Sequence, residues 1–364
     1  MKTLGIDVGT GGTRAVVIDP AGKVVASATA EHVPFVSTRT GWAEQDPEDW
    51  WRATITVVRE VLSKSSSDEI KAVGFSGQMH GLVLLDQSDE VLRPAIIWCD
   101  QRTDPQCKSL TEMIGANRLI ELTCNPAVTG FTLPKMLWVR EWEPESWRRL
   151  HTVLLPKDYV RLKLSGDRAT DVADASGTLL FDVKARRWSS EMLSATEIDE
   201  RLLPRVYESP DVTGSVSNAG AAATGLRAGT PIVAGGGDQA AGAVGMGIVR
   251  PGAASATIGT SGVVFAATNQ PLLDPKGRVH TFCHAIPGRW HVMGVTQGAG
   301  LSLRWFRDQF GAPGGDDSDA YDRLTKEASL VSSGSDGLIW TPYLMGERTP
   351  HLDPFAKAAL VGLT

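Results

Sequence analysis

The sequence predicts an α/β protein of two domains. Its 364 residues exceed what one ordinary hydrophobic core organises. Short apolar strands are followed by helical patterns, as where Ile70–Phe75 and Pro231–Ala234 each run into a polar, Gly-rich loop. Two predicted hairpins have tips rich in Gly, Thr and Ser, at Gly9–Thr13 and Gly259–Gly262, about 250 residues apart. The similar tips suggest that the second domain repeats the first.

The chain begins with an antiparallel meander. Residues Leu4–Ile18 alternate apolar with small or polar side chains around the Gly9–Thr13 turn, which predicts a β-hairpin. Asp19–Gly22 predicts a second turn and Lys23–Thr29 a third strand. Three strands are therefore expected before the first helix.

The first helix has a clear start signal. Asp46 suits the N-cap, Pro47 the first helical position, and Glu48 and Asp49 the positive end of the helix dipole. Apolar residues then recur at helical spacing. Further along the chain, the pattern predicts strands at Val83–Asp86 and Ala95–Trp98 and a more helical region over Arg118–Leu203.

A second strand-to-helix cycle follows Pro231–Ala234. The turn at Gly235–Asp238 precedes a predicted helix over Gln239–Gly247, and Ala256–Phe265 reads as the second hairpin. We place the domain boundary near Gly247, so that residues 1–247 form the first domain and 248–364 the second. Gly311–Ser318 is predicted to be a polar loop.

Composition narrows the class of protein. A net charge of −6 argues against a broad nucleic-acid-binding face. A carboxylate at Asp7 interrupts any signal-peptide core, and the weakly polar stretch Gly252–Thr268 is too rich in turn residues to span a membrane. Four cysteines without metal-site spacing indicate a reduced, cytoplasmic protein.

The two hairpin tips are candidate phosphate-binding turns. Backbone N–H groups of Gly-rich turns approach phosphate oxygens closely, and hydroxyls add donors. One such turn usually only connects strands, whereas two near acidic residues favour a function. The candidate residues are Thr10, Gly11, Gly12 and Thr13 in the first tip, with Arg14 after it, and Gly259, Thr260 and Ser261 in the second.

Two aspartates are candidates for the chemistry. Asp7 lies two residues before Gly9, where a carboxylate can hold Mg²⁺ beside bound phosphate; alternatively it is solvated or paired with Arg14. Asp238 lies at the carboxyl end of a buried strand, where open α/β sheets bind ligands. A general base and a helix N-cap are equally compatible with Asp238.

Other nucleotide-binding signatures fit less well. No G-x-x-x-x-G-K-[ST] occurs, which excludes a P-loop. The segment Gly235–Ala240 satisfies the looser G-x-G-x-x-[GA] pattern, but no acidic residue for a ribose occurs between Gln239 and Leu273. A dinucleotide site is therefore not favoured.

Polar residues beside strand ends are candidate sugar contacts. His80 lies in the Gln78–Gly81 loop, and Asp100 with Arg102 either binds hydroxyls or forms a surface ion pair of little energetic value. Among the tryptophans, the sequence favours Trp42 and Trp98 for a cleft, and the helical pair Trp50 and Trp51 for the core. The predicted strand histidines, which are not expected to bind metal, are His280, His284 and His291.

Several motifs occur in the order found in one enzyme family. They are Gly5–Arg14, Gly74–Gly81, Gly130–Val139, Leu154–Tyr159, Ala234–Gly245, Ile258–Val263 and Gly346–His351. Together they resemble the FGGY carbohydrate kinases, and among these the members that phosphorylate D-xylulose. The similarity runs through the whole chain. It implies an actin/hexokinase/Hsp70-like fold of two lobes, each built on a ribonuclease H-like unit.

The resemblance also implies an activity and roles. ATP and D-xylulose would give ADP and D-xylulose 5-phosphate, with Mg²⁺ as cofactor and a homodimer as the expected assembly. Asp238 matches the family's catalytic base, Asp7 the acidic residue near Mg²⁺, and the two tips its phosphate loops. Met79 and His80 match the ketose-contacting loop, with Asp100 as a further substrate contact.

Two departures from the family pattern bear on function. Gln239 stands where Asn is expected, and its additional methylene would extend into the sugar site. The chain stops at Val361–Thr364, in what reads as the start of a strand, before the family's Gly-rich adenosine loop. An incomplete second lobe and weak or no ATP binding are therefore expected. The alternatives are a kinase of another ketose or polyol (ribulose, a ketohexose, erythritol) and a non-catalytic sugar-binding protein of the same fold.

Overall fold

A computed structural model describes residues 1–310, 319–353 and 355–364. The predicted loop at Gly311–Ser318 lies outside the described residues. The chain forms two compact units. The first comprises Met1–Pro251, Ala267–Gly277 and Thr281–His291, and the second Gly252–Ala266, Arg278–His280 and Val292–Thr364.

The strands of the described residues are short, and most belong to the first unit. They are β1 (Lys2–Val8), β2 (Gly12–Ile18), β3 (Val24–Glu31), β4 (Glu44–Gln45), β5 (Ile70–Gly77), β6 (Val83–Leu85), β7 (Ala95–Ile96), β8 (Thr152–Leu154), β9 (Ala169–Asp171), β10 (Phe181–Asp182), β11 (Arg187–Trp188), β12 (Arg205–Tyr207), β13 (Val212–Ser215), β14 (Pro231–Val233), β15 (Gly236–Gly237), β16 (Ala254–Ile258), β17 (Gly262–Thr268), β18 (His280–Cys283), β19 (Trp290–Thr296), β20 (Ile339–Thr341) and β21 (Ala359–Val361).

The α-helices of the described residues alternate with these strands. They are α1 (Pro47–Ser63), α2 (Asp104–Ile114), α3 (Ala116–Thr123), α4 (Thr132–Trp142), α5 (Pro144–Arg149), α6 (Pro156–Ser165), α7 (Val172–Ala175), α8 (Ser190–Thr196), α9 (Asn218–Thr224), α10 (Asp238–Gly245), α11 (Gly300–Phe310) and α12 (Ala320–Ala328). None of the helices in the described part of the chain has the length and apolar character needed to cross a membrane.

The first unit is organised by one mixed sheet. Its strand order is β13-β14-β5-β1-β2-β3, and β15 also pairs with β5. The predicted meander is confirmed, because β1, β2 and β3 pair antiparallel in succession. By contrast, β5 runs parallel to β1, and both β14 and β15 run parallel to β5. The carboxyl ends of β1, β5 and β15 therefore meet at one edge of the sheet.

Helix α1 covers one face of this sheet, and its start is as predicted. The side chain of Asp46 accepts a hydrogen bond from the backbone N–H of Glu48, and Pro47 opens the helix. Trp50 and Val57 are fully buried in the core with the strand residues. Burying an apolar side chain of this size contributes roughly 1.5–3 kcal/mol before entropy is subtracted. The core assignment of Trp50 and Trp51 is confirmed.

The second unit contains the second predicted hairpin. Strands β16 and β17 pair antiparallel from Ala254↔Ala266 to Ile258↔Gly262, which confirms the hairpin. Of the three histidines predicted to lie in strands, His280 and His291 do so, but His284 follows β18 in a turn. The prediction for His284 was wrong because alternation with apolar residues continues past the end of a strand when the turn is also buried.

Candidate active site

The candidate site lies where β1, β5 and β15 end together. Asp7 near the end of β1 is in register with Ser76 of β5, and Gly236 of β15 is in register with the same residue. Asp238 follows β15 directly and is the first residue of α10. The sheet thus brings together the two aspartates that the sequence singled out, at the edge where parallel strands place ligands.

Backbone geometry sets the position of Asp238. Gly235 has φ +87°, and a Cβ there would lie 2.4 Å from the carbonyl oxygen of Phe75. A Cβ on Gly237 would lie 2.7 Å from Cγ of Met79. Only glycine lets the segment pass this close to β5 and the following loop. Asp238 is therefore held against the loop that carries Met79 and His80.

The electrostatic setting of Asp238 is unusual for a carboxyl group. Burial and, second, the negative charge of Asp7 raise its pKa to about 7, although hydrogen bonds from the backbone and side chain of Gln239 lower it. A carboxyl group that titrates near neutrality is suited to accept a proton from an alcohol. The helix-cap alternative does not fit, because Gly237 occupies the N-cap position and no side-chain capping bond is made there.

Asp7 carries an unsatisfied acceptor. Its Oδ1 atom is buried and has no hydrogen-bond partner among the described residues. Arg14 lies opposite Asp7 in the β1–β2 register, but its Nε donates to Thr29 Oγ1 over 3.3 Å. The ion pairs of the described residues do not include Asp7 with Arg14. The Arg-paired alternative for Asp7 is thus not what the structure has.

His80 is fixed by contacts on several sides. It has φ +67°, and its ring stacks on Phe131 with centroids 4.6 Å apart. Its Nδ1 lies 2.8 Å from the carbonyl oxygen of Gly177. Its own carbonyl oxygen accepts from Lys135 Nζ at 2.8 Å and from Thr132 Oγ1 at 3.1 Å. The first turn of α4 therefore fixes the conformation of the loop that carries Met79 and His80.

Asp100 forms the ion pair with Arg102 that the sequence offered as one alternative, but the pair is buried. It is fully buried, and Oδ2 accepts from the backbone N–H of Ala43 at 2.6 Å and from Arg102 Nη2 at 2.7 Å. The guanidinium of Arg102 packs over Trp42, 3.7 Å from the ring centroid. The surface ion pair predicted as an alternative is thus a buried one. These contacts occupy the carboxylate that was expected to meet sugar hydroxyls.

The first hairpin tip uses its hydroxyls internally. Thr13 is fully buried, and its Oγ1 lies 2.8 Å from Nε2 of His32. Thr10 Oγ1 donates to Gln78 Oε1 at 3.4 Å and accepts from Trp98 Nε1 at 2.9 Å. The hydroxyl of Thr13 is therefore engaged with the protein, and the contact of Thr13 with phosphate stays a prediction. The side chain of Thr10 likewise faces protein partners.

The backbone of the same tip is better placed for an anion. Gly9 N–H donates to Gly12 O, which closes the turn, and His32 N–H donates to Gly11 O. Within the described residues, no backbone turn bond has the amide of Thr10 or Gly11 as its donor. Unused amides at a tight turn are the donors that phosphate oxygens meet.

The tip in the second unit is anchored to a helix. Gly300 N–H and Leu301 N–H donate to the carbonyl oxygens of Gly259 and Thr260, at 2.8 and 3.1 Å. A Cβ on Gly300 would lie 2.5 Å from Gly259 O, so this approach requires glycine. The tip is thereby held at the N-terminus of α11, while Thr260 is exposed.

The motif at Gly346–His351 supports this region of the second unit. The buried carboxylate of Glu347 accepts from Thr296 Oγ1 at 2.6 Å and from the backbone N–H of Gln297 at 3.1 Å. Thr349 pairs with Val295 through both backbone and side chain. These contacts fix the end of β19, which leads into α11. The sequence analysis assigned no role to Glu347. Its position within the Gly346–His351 motif was the signal that could have identified it.

A buried ion cluster behind the site was also missed. Lys157 Nζ lies 2.5 Å from Asp158 Oδ1, 2.7 Å from Asp171 Oδ2 and 3.4 Å from Asp174 Oδ2, and all four side chains are fully buried. Burial raises the pKa of Asp158 and of Asp174, while the three carboxylates raise that of Lys157 against the effect of burial. A Cβ at Gly77 would lie 3.1 Å from Lys157 Cβ, so the cluster adjoins the end of β5.

The fold and this site define a class of α/β protein. It has two Gly-rich hairpin tips and an aspartate, Asp238, suited to act as a general base where parallel strands of the sheet end. Family models give the class its name. The N-terminal domain of the FGGY family of carbohydrate kinases matches residues 2–245, and the C-terminal domain of that family matches residues 254–364. The chain belongs to the FGGY family of carbohydrate kinases.

Individual relatives agree with this assignment. The chain is 42% identical over 362 residues to a xylulose kinase from Bacillus subtilis, covering 99% of this chain and 71% of that protein. A crystal structure of xylulose kinase from Rhodospirillum rubrum matches with a TM-score of 0.93 and 28% identity, over 100% of this chain and 73% of that one. A gluconate kinase structure from Lactobacillus acidophilus matches equally well, with a TM-score of 0.93, 28% identity, and coverage of 100% and 72%. The expected actin/hexokinase-like fold is confirmed.

Proposed function

We propose that this protein is an ATP-dependent kinase that phosphorylates D-xylulose on its 5-hydroxyl group. The observation that carries the proposal is Asp238, whose pKa is raised to about 7 by burial and by Asp7 at the shared sheet edge. The similarity to xylulose kinases supports D-xylulose as the acceptor.

The carboxylate of Asp238 is the proposed general base. It accepts the proton of the attacking hydroxyl as that oxygen bonds to the γ-phosphorus of ATP and the bond to the β,γ-bridging oxygen breaks. The sugar phosphate and ADP are the products, and the proton stays on Asp238 until solvent removes it. Met79 and His80 are proposed to orient the ketose from the loop that packs against Gly237.

Each hairpin tip is a proposed phosphate contact within its own unit. In the first unit, the backbone amides of Thr10 and Gly11 are the proposed donors, with Gly12 closing the turn. Arg14 is exposed beside them and is a proposed contact for anionic oxygens. In the second unit, the proposed contacts are Gly259, Thr260 and Ser261 at the N-terminus of α11, where the helix dipole favours an anion.

Magnesium is the proposed cofactor, and Asp7 fits it. The unsatisfied, buried Oδ1 of Asp7 is the kind of oxygen that Mg²⁺ engages directly or through water. A Mg²⁺ ion bound with ATP would neutralise charge on the transferred phosphoryl group. In the described residues, no group of three or more His, Cys, Asp or Glu side chains forms a self-contained metal site. The phosphates of ATP would therefore supply other ligands.

The choice of acceptor depends on Gln239. Its side chain hydrogen-bonds the carboxylate of Asp238. We propose that this bond turns the longer side chain toward the base, which leaves room for a five-carbon ketose. The second candidate is a kinase of another ketose, polyol or sugar acid, and the similarity to a gluconate kinase supports it.

The test is ATP-dependent ADP release by the full-length protein with D-xylulose, D-ribulose, L-ribulose, D-fructose, D-psicose, D-gluconate, erythritol and glycerol. A kcat/KM for D-xylulose more than tenfold above every other acceptor supports the proposal. A higher value for another acceptor replaces D-xylulose but keeps the role of Asp238. The non-catalytic alternative is tested by Asp238→Ala, which should abolish turnover while sugar binding, followed by calorimetry, persists.

Three further assignments remain predictions. We propose that residues 1–247 bind the sugar and residues 248–364 the nucleotide. We also propose a cytoplasmic location and a homodimer. Sedimentation equilibrium of the protein tests the dimer, and a single species of monomer mass at micromolar concentration would contradict it.

A further inference from the structure

Two buried glutamines hold the first hairpin tip by its backbone. Gln45 Nε2 donates to the carbonyl oxygen of Thr10 at 2.8 Å, and Gln78 Nε2 donates to that of Gly9 at 3.4 Å. The exposed fractions of the two glutamines are 5% and 2%. Their amides are thus committed to protein partners, and the tip is tied to β4 and to the end of β5.

The two glutamines form one network with neighbouring side chains. Gln78 Nε2 also donates to Gln45 Oε1 at 3.0 Å, and that same oxygen accepts from Trp50 Nε1 at 3.3 Å. Trp98 Nε1 donates to Thr10 Oγ1, which in turn donates to Gln78 Oε1. Each hydrogen bond of the network orients the group that makes the next one. An amide whose oxygen accepts from two donors presents its N–H groups in a fixed direction.

The network joins two parts of the site that the sequence treats separately. Gln78 is the first residue of the loop that carries Met79 and His80, and its own backbone N–H donates to Val8 O at 2.9 Å. Its side chain reaches the tip that offers the amides of Thr10 and Gly11. A displacement of the sugar loop would therefore move the phosphate-binding turn.

We propose that Gln45 and Gln78 are positioning residues that set the hairpin tip for phosphoryl transfer, and that Gln78 couples the tip to the sugar loop. This inference rests on the proposed kinase function. Phosphoryl transfer depends mainly on alignment, and a displacement of about 1 Å costs as much as 10²-fold in rate. The alternative is that the glutamines only satisfy buried polar groups of the fold.

The test compares Gln45→Met and Gln78→Met with Gln106→Met. Methionine matches glutamine in length and removes the amide. Gln106 is a suitable control, because it is equally buried at 6% exposure and donates to Glu141 Oε2 at 2.8 Å, with no bond to the tip. We expect Gln45→Met to lower kcat about 10- to 100-fold and to raise the KM for ATP, with little change in the sugar KM. Gln78→Met should raise both KM values, whereas Gln106→Met should alter only the melting temperature.

A second readout does not require activity. Amide hydrogen exchange over residues 9–13 should accelerate in Gln45→Met and Gln78→Met and stay unchanged in Gln106→Met. In the double variant Gln45→Met/Gln78→Met the losses in kcat should be less than multiplicative, since the two side chains bond each other. Gln45→Met/Gln106→Met should be multiplicative.

The outcomes separate this inference from the proposed function. If the wild-type protein phosphorylates no acceptor, the kinase proposal fails. The hydrogen-bond network is then tested by amide hydrogen exchange alone, and an unchanged exchange rate over residues 9–13 in Gln45→Met would overturn it. If the wild type is active, normal kinetics in both variants overturn the positioning role even where exchange accelerates. Slower turnover together with faster exchange at the tip supports it.

Discussion

Asp7 lies near the end of β1 and Asp238 directly follows β15 of the same sheet, and burial together with the charge on Asp7 raises the pKa of Asp238. A carboxyl group whose pKa is raised in this way can take up a proton near neutral pH.

The turnover of the protein should depend on the ionisation of Asp238. Because the pKa of Asp238 in the free protein is raised to about 7, its carboxyl group is mostly protonated and inactive below that pH, and kcat/KM should rise as pH increases through 7. Asp238→Asn should lower kcat by about 10²–10⁴-fold at pH 8 and abolish the rise of the rate with pH near 7. Steady-state assays from pH 5.5 to 9 measure both effects. If the residual activity of Asp238→Asn still rises with pH near 7 as in the wild type, the titrating group is not Asp238.

Replacing Asp7 should change two measurable quantities at once. Asp7→Asn removes a negative charge that, after burial, raises the pKa of Asp238, so the rise of kcat/KM with pH should move to lower pH. It also removes the proposed Mg²⁺ contact, so the Mg²⁺ concentration for half-maximal rate should increase. Glu60→Gln, an exposed change on α1, is the control. A shift in Mg²⁺ dependence without a shift in pH would mean that the two carboxyl groups do not interact.

The first turn of α4 should act on sugar binding through His80. Thr132→Val removes one donor to the His80 carbonyl oxygen and keeps the side-chain shape. The sugar KM should rise a few-fold, because a hydrogen bond of this kind contributes about 1 kcal/mol. Lys135→Met should have a larger effect and also lower the melting temperature. Thr54→Val, whose hydroxyl donates to Trp50 O within α1, is the matched control and should leave the sugar KM unchanged.

Shortening Gln239 should alter the choice of acceptor. Gln239→Asn shortens the side chain by one methylene. The shorter side chain either loses its hydrogen bond to Asp238 or keeps that bond by moving the amide closer to the carboxylate. Either change alters the space beside the attacking hydroxyl. One methylene in such a pocket discriminates substrates by roughly 10-fold or more. The ratio of kcat/KM values for D-xylulose and D-gluconate is the measurement, with Gln87→Asn in an exposed turn as the control. An unchanged ratio would remove Gln239 from the determinants of specificity.

The buried cluster around Lys157 should make stability depend on pH. Burial raises the pKa of Asp174, so the folded protein binds this proton more tightly than the unfolded chain does. The free energy of unfolding contributed by this group is therefore present at low pH and declines as pH rises above about 4, the unfolded value. Asp174→Asn should raise the melting temperature more at pH 8 than at pH 5. Thermal unfolding at both values tests this, and a variant less stable at pH 8 would show that the charge is needed.

Local signals explain which parts of the structure the sequence could predict. The β1–β2 hairpin and the start of α1 depend on neighbouring residues, such as Asp46 and Pro47, whose effects are short-ranged. Asp7 and Asp238 could each be singled out from the glycines and the apolar strand residues beside them in the sequence. In these cases a residue's role is set within a few positions of it.

Long-range contacts explain what the sequence did not reveal. Thr13 looks like a donor in an exposed turn, yet its hydroxyl faces His32, which directly follows β3. Asp100 looks like a surface residue, yet Ala43 and Arg102 enclose it. The contacts with His32 and Ala43 join residues 19 and 57 positions apart, and no local pattern reports such pairing.

The absence of side chains at two glycines limits how the sugar loop can be re-engineered. A Cβ on Gly177 would lie 2.4 Å from Nδ1 of His80, and one on Gly237 would lie 2.7 Å from Cγ of Met79. Libraries that enlarge positions 177 and 237 would thus yield mostly misfolded or inactive clones. Directed evolution toward new acceptors is better aimed at positions with a side chain to exchange, such as Gln239 at the start of α10.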